Sequence, residues 1–595
     1  MALRMYRGRT QSLFRFLPGQ LYNWQNRQGS FRGSADIDAR PMDLPRPWIK
    51  RALRRLLAPF VASARQVGVE LPLVQVIEED RFELLELHKL RGELFPRTFV
   101  CQECGRFIRS AANTSQVRCP RHGERMVQWS FVEFHRCGHL SELVAPPCAN
   151  GCKDGMILLN RDSRSLGEWK WRCVRCGTIA QRGVFRTCPS CGRGQVRVLR
   201  AEANPVFYPQ YVTVVNPPSQ EDYRLLDVDS VYPAAVAQAL GAVAPGLEGL
   251  WDAVNSAGGE DAENQVRRDL VERFGLPADS PVLEELLQRW RERSGAHHSW
   301  VAAVDGLGLD PERVTELGHQ CLELTLARAA SRVTIDDLIA QAPSPALRAL
   351  YSIKYREVLE RYGFAEASLL REFPLAYVVA GYTREERNPE PGVLFQFFPP
   401  IRGIYPMYGQ RTVTEALLFR LDPARVVSWL VRSGVVDDPG EVDPQAWLFT
   451  VMSPIRSIFE PPRDRITAAV LGLVHSVSHR ALKAVAVRSG LSSESLAEYL
   501  LPHNLAFIIY ADTRSEFVLG GLDHVFRNHL ADSLEQMDAD RRCVFDPPCR
   551  EHTGACAFCM YLSETSCERF NTALSRWYLF GGGNAGITWQ GYWNL

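Results

Sequence analysis

Hydrophobic positions along this chain fall into several regimes, each implying a different kind of element. Residues 48–67 place apolar side chains at helical spacing between arginines and lysines, which predicts an amphipathic basic helix. Residues 73–95 read as a strand followed by a helix or an extended lead-in. Short β-type runs at 126–134 and 167–172 sit between cysteine pairs. From 234 to 362 the period returns to 3.6, with helices expected at 270–274, 282–293, 314–329, 335–339 and 346–363. Residues 375–379, 393–398 and 416–420 read as strands, and 423–433 as a helix. A long helix is expected over 466–488 (ITAAVLGLVHSVSHRALKAVAVR), then a capped helix over 492–500 and an apolar strand over 505–512. Gly520-Gly521 opens a final helix running to Met537. The prolines around 205–218 read as a joint.

These regimes predict a multidomain α+β protein. Its parts are a basic N-terminal arm and lead-in (1–95), a zinc-rich module (96–204), a linker (205–233), a helical region (234–362), a mixed α/β segment (363–455) and a C-terminal α/β domain (456–595). At 595 residues, with 46% hydrophobic and 23% charged content, the chain is long enough for several packed cores. The helical insert reads as a packing or docking element without chemistry of its own.

Cysteine usage changes the picture most. Ten of the sixteen cysteines lie between Phe99 and Gly192. Cys173-x2-Cys176 followed by Cys188-x2-Cys191 reads as a four-thiolate zinc ribbon, because paired knuckles supply the tetrahedral thiolates that zinc prefers. Cys101-x2-Cys104 with Cys119-x2-His122 makes a second set. Cys137, His139, Cys148 and Cys152 make a third, with His135 competing with His139 as ligand. At the far end Cys543, Cys549, Cys556 and Cys559 form another set, with Cys567 spare or substituting for one of them; zinc is favoured there over an iron–sulfur cluster. The expected cofactor is therefore zinc, three to four ions per chain. Each set closes with four protein ligands, so the metal reads as structural rather than catalytic. Spaced knuckles and the absence of a secretory apolar run weigh against disulfides, and no apolar run is long enough to span a bilayer. A cytoplasmic protein is expected.

Charge adds a second element. The net charge is +1, but residues 97–200 hold eighteen Lys or Arg against seven Asp or Glu. Together with Arg51, Arg54 and Arg55 in the arm, this basic stretch predicts contact with a polyanion, nucleic acid first. Arg172, Arg175, Arg182 and Arg186 are the expected backbone contacts; charge balance for the thiolates is the alternative use of such arginines. No phosphate-binding P-loop, kinase motif set, GxSxG elbow or deaminase signature occurs, so no ATP site and no catalytic residues are expected. His475 and His479 share a helix face, but Ser476 stands where a metalloprotease needs Glu, and the pair reads as core or polar-network histidines. Gly520-Gly521 is a weak phosphate signal.

The C-terminal order LGLVHSVSHRALKAVAVRSGLSSESLAEYL, FIIYADTRSEFVLGGLDHVF and GACAFCMYL resembles the cysteine-rich C-terminal domain found in several helicase-linked proteins. The Cys137-Gly138-His139-Leu140 turn, the start near Thr10, Gln11, Pro18 and Gly19, and TEALLFRLDPARVVSWL (414–430) extend this to a resemblance to the DrmB family of the bacterial DISARM anti-phage system. The resemblance covers most of the chain outside 234–345. It departs at Glu516-Phe517 before the glycines and in the Arg-rich start. It implies a non-catalytic partner of a DrmA-like helicase that engages phage DNA. Two other readings stay open: a metal-dependent nuclease or nucleic-acid-modifying enzyme, and a scaffold without DNA contact.

Overall fold

A computed structural model describes residues 3–5, 16–23, 30–33, 38–110, 116–153, 155–161, 163–180, 183–215, 217, 228, 230–255, 267, 270–271, 277, 280–329, 331–459, 461–512, 520–539, 541–563, 566–584 and 587–595. Its secondary structure is mixed α+β. The chain forms two compact units, Met1–Val214 with Ala376–Arg411, and Val215–Leu375 with Thr412–Leu595.

In the first unit the strand Phe82–Leu94 is the organising element. It pairs antiparallel with Leu3–Met5, Ser30–Gly33 and Asp38–Pro41, and its first residues run parallel to Tyr405–Gly409. The expected basic helix is present as Arg46–Gln66, burying Trp48, Ile49, Leu53, Leu56, Leu57 and Phe60. Residues 73–95 take the opposite order to the one expected: a short helix, Leu73–Glu78, precedes the strand. Pairing on both edges of 82–94 satisfies backbone groups that a helix there would have satisfied alone. The expected joint at 205–215 is a strand, Tyr208–Val215. The cysteine-rich part holds three small sheets. These are Thr98–Val100 with Phe107–Arg109 and Val127–Gln128, Phe131–Phe134 with Leu140–Glu142 and Arg197–Arg200, and Met156–Leu159 with Lys170–Cys173.

In the second unit the helix Arg465–Ser489, buried on all sides from Ala469 to Leu482, runs through the core. Asp464 caps its start by accepting from Thr467 N (2.8 Å), and Gly490 at φ 71° ends it. Beside it lies a hairpin, Leu496–Leu501 with Ala506–Ala511, whose second strand pairs with Ala416–Arg420. The capped helix expected over 492–500 is instead a 3-10 turn, Ser493–Ser495, leading into this strand. Leu, Ala and Glu favour a helix locally, but the neighbouring apolar strand offers a full hydrogen-bonded ladder, and burial there overrides propensity. The helix expected from Gly521 to Met537 is two, Gly521–Asn528 and Leu530–Ala539. The helical region packs into this same unit: on Pro311–Ala329, Gln320 Nε2 meets His503 Nδ1 at 2.9 Å and Glu323 accepts from Tyr499 OH at 3.1 Å.

Candidate metal centres and a basic cleft

Four turns of the first unit share one local design. Cys101–Cys104, Cys119–His122, Cys173–Cys176 and Cys188–Cys191 are each followed by glycine, and the glycines sit at φ 68°, 69°, 74° and 65°. Each glycine N–H returns to the carbonyl of the first ligand residue (2.8–3.1 Å), so the turn closes and both ligand atoms face inward.

How these knuckles combine differs from the expectation. Among the described residues, Cys101, Cys104, Cys119 and His122 form one group, as expected, with all ligand atoms within 4.8 Å of one another. Cys173 and Cys176 do not join Cys188 and Cys191. They face Cys148 and Cys152, while Cys188 and Cys191 face Cys137 and His135. Cys148 Sγ lies 3.5 Å from Cys176 Sγ, Cys137 Sγ 3.6 Å from Cys188 Sγ, and Cys191 Sγ 3.5 Å from His135 Nδ1. Strand register explains the nesting. Met156 pairs with Cys173, so the hairpin returns the Cys173 knuckle to the Cys148–Cys152 loop. Arg197 pairs with Phe134, which carries the last knuckle to His135.

His139 is therefore not a ligand of this group. Its Nδ1 meets Ser190 Oγ at 2.8 Å and its Nε2 meets Ser141 Oγ at 3.3 Å. His135 Nδ1 accepts from the Cys137 N–H at 3.3 Å, so it is the unprotonated nitrogen, and the same atom lies 3.5 Å from Cys191 Sγ. The turn between them is held by Arg136, which donates to Glu385 from its backbone and its guanidinium, and by Arg384, which donates to the Gly138 carbonyl. Gly138 is at φ 95°, and a Cβ there would lie 2.4 Å from Gln396.

In the second unit Cys543, Cys549, Cys556 and Cys559 converge as expected, with Cys543 Sγ 3.4 Å from Cys556 Sγ and Cys549 Sγ 3.7 Å from Cys559 Sγ. Arg576, almost fully buried, donates to Asp546 (2.6 Å) and to Cys549 Sγ (3.6 Å), bringing positive charge to the thiols. Cys567 is outside this group. It lies instead with His475, His479 and Glu498, where the two histidines are buried in a polar network as expected, and the four donors converge as a fifth group among the described residues.

Thiol acidities fit cation binding. Burial pushes Cys101 up, but the Cys104 N–H and the His122 ring outweigh it and bring the thiol down to about 6. The Thr178 hydroxyl and backbone bring Cys176 to about 6, while burial and the neighbouring thiols push Cys152 up to about 12. One thiolate forms readily in such a group and the next is opposed, a penalty that a bound cation removes. Among the described residues, all sixteen cysteines are free thiols.

The expected nucleic-acid residues are dispersed. Arg54 donates twice to Glu78 (2.7 and 2.6 Å), and Arg51 and Arg55 are half-buried on the same helix. Arg186 is tied to the fully buried Glu133. Arg182 lies outside the described residues. Among the described residues of that set, only Arg172 and Arg175 share a site: with Arg106 and Arg121 they line a cleft of about 690 Å³ that also meets Cys104, His122, Cys173 and Cys176. Among the described residues, Glu103 is the one acidic residue of that lining. Arg121 and Arg175 occupy the third position of their knuckles, Cys-Pro-Arg-His and Cys-Val-Arg-Cys, a spacing that marks both for the same face. The helix start at Gly520-Gly521 is filled by Glu415, which accepts from Gly520, Leu522 and Asp523 N–H (2.9–3.3 Å), so the phosphate reading fails.

Residues 8–208 are similar to a family described as a domain of unknown function (DUF8724). No curated protein matches the chain. No helix among the described residues is long and apolar enough to cross a membrane.

Proposed function

We propose that this chain is a non-catalytic, zinc-binding, DrmB-like partner of a DrmA-like DNA helicase or translocase in cytoplasmic anti-phage defence, and that it holds DNA by its backbone. The observation that carries the reading is the cleft where Arg106, Arg121, Arg172 and Arg175 meet at the edges of two Cys/His groups. Knuckles closed by backbone hydrogen bonds fix the backbone at Arg121 and Arg175, so binding phosphate there costs little backbone ordering. The sets of four cysteines, or of three cysteines and one histidine, suit zinc in a closed tetrahedron and leave no open position for chemistry. A ribbon-like fold around zinc follows from the same knuckles.

The test replaces the three exposed arginines together (Arg121→Gln, Arg172→Gln, Arg175→Gln) and measures duplex binding by fluorescence anisotropy at several salt concentrations, alone and with the helicase. Each arginine–phosphate pair removed lowers the log–log salt slope by about 0.9. A reduction of up to about 2.7, equal across sequences and with metal content unchanged, is expected. An unchanged slope in a folded, metal-replete triple variant refutes the DNA reading and leaves the scaffold.

A further inference from the structure

His475 and His479 lie one turn apart on the buried helix Arg465–Ser489. Glu498 reaches them from the strand Leu496–Leu501, and Cys567 from the loop that follows the group formed by Cys543, Cys549, Cys556 and Cys559. His475 Nε2 is 3.0 Å from Glu498 Oε1 and 3.2 Å from Cys567 Sγ, and His479 Nε2 is 3.1 Å from the same Glu498 oxygen. Relative exposures are 0% for both histidines, 2% for Glu498 and 4% for Cys567.

We propose that these four side chains form a fifth metal site, which takes one zinc ion through His475 Nε2, His479 Nε2, a Glu498 carboxylate oxygen and the Cys567 thiolate.

Three observations carry it. The first is the direction of the protons. His479 Nδ1 is 2.8 Å from the Met560 carbonyl, which only accepts, so Nδ1 holds the proton. In the neutral ring Nε2 then turns a lone pair toward a carboxylate oxygen, a meeting of two acceptors that a cation between them converts into two bonds. A ring N–H given to a backbone carbonyl is also the outer arrangement that orients metal-bound histidines. The second is the preparation of the anionic donors. Cys567 Sγ accepts from Asn571 N (3.1 Å) and Arg569 N (3.4 Å). The second Glu498 oxygen accepts from Ser478 Oγ at 2.5 Å. The donors are thus held in place from outside, and their free faces converge. The third is spacing and charge. Zinc bonds of about 2.0–2.3 Å give tetrahedral edges of about 3.3–3.8 Å; three donor pairs here are 3.0–3.2 Å apart and all four donors lie within 4.8 Å of one another, so small outward shifts admit the ion. Two neutral imidazoles, one carboxylate and one thiolate around a divalent ion make a neutral complex, the kind a dry core accommodates at least cost. Burial closes the site, so the ion ties helix, strand and loop together and leaves no place for a substrate.

The test is metal content of the purified full-length chain by plasma mass spectrometry, with Cys567→Ser and His475→Asn as variants. Five zinc per chain, falling by one equivalent in each variant while the other groups stay loaded, is expected. Four per chain, unchanged by either variant, overturns the proposal. Should the variants not fold, wild-type crystals decide: an anomalous-difference map at the zinc edge shows a peak among these four donors, and its absence beside peaks at the other groups overturns the site.

Discussion

Cys173, Cys176, Cys188 and Cys191 look like one ribbon along the chain but serve two centres in space, and metal counting separates the two arrangements. The perturbation is a set of three paired serine substitutions. Cys173→Ser with Cys176→Ser strikes only the group containing Cys148 and Cys152, and Cys188→Ser with Cys191→Ser only the group containing His135 and Cys137. Cys176→Ser with Cys191→Ser strikes both. The first two pairs each cost one equivalent and the third costs two; a single shared ribbon would lose one in all three. The size of each loss follows from ligand count, since a set reduced to two or three protein ligands no longer closes the tetrahedron. Structural zinc contributes about 10–16 kcal/mol of apparent binding free energy, comparable to the whole stability of a domain, so each loss also loosens its local sheet. The Cys101–His122 group serves as internal reference. The assay is chromogenic release of metal after thiol modification, checked by mass spectrometry, with far-UV circular dichroism as a control on folding. A mixed pair that loses no more metal than Cys176→Ser alone, in folded protein, refutes the nested arrangement.

Two further outcomes follow from the geometry. His135→Ala should remove one metal equivalent and His139→Ala none, because His139 is engaged by Ser190 and Ser141; equal metal content in the two variants contradicts the assignment. Burial raises the Glu366 carboxyl, but Arg328 and Arg332 overcome it and hold the group below its usual 4.5. A depressed folded-state value means this stabilisation is present above the unfolded value and lost as pH falls through the lower folded one, so Glu366→Gln should flatten the acid limb of a urea-melt stability profile below about pH 4.5; a parallel profile contradicts it.

Much of the local chemistry was legible along the chain. The CxxC and CxxH knuckles, the glycine after each, the long helix 465–489 and the four C-terminal cysteines are set by residues a few positions apart, where backbone geometry alone decides. The α+β character followed from the same local periods. Which knuckle faces which was not legible, because that depends on strand register: Met156 opposite Cys173 and Arg197 opposite Phe134 nest the two inner centres, and nothing in the spacing distinguishes this from adjacent pairing. The same holds for charge. Arg54 and Arg186 read as surface cations until the fold sets Glu78 and Glu133 against them, while Arg106 and Arg121 gain their place only where two sheets meet. Glu498 shows the division most clearly. Its sequence neighbours favour a helix, but pairing with Ala506–Ala511 makes the segment a strand. That change turns the carboxylate inward to His475, His479 and Cys567, residues up to 92 positions apart whose donor atoms only tertiary packing brings within 4.8 Å of one another.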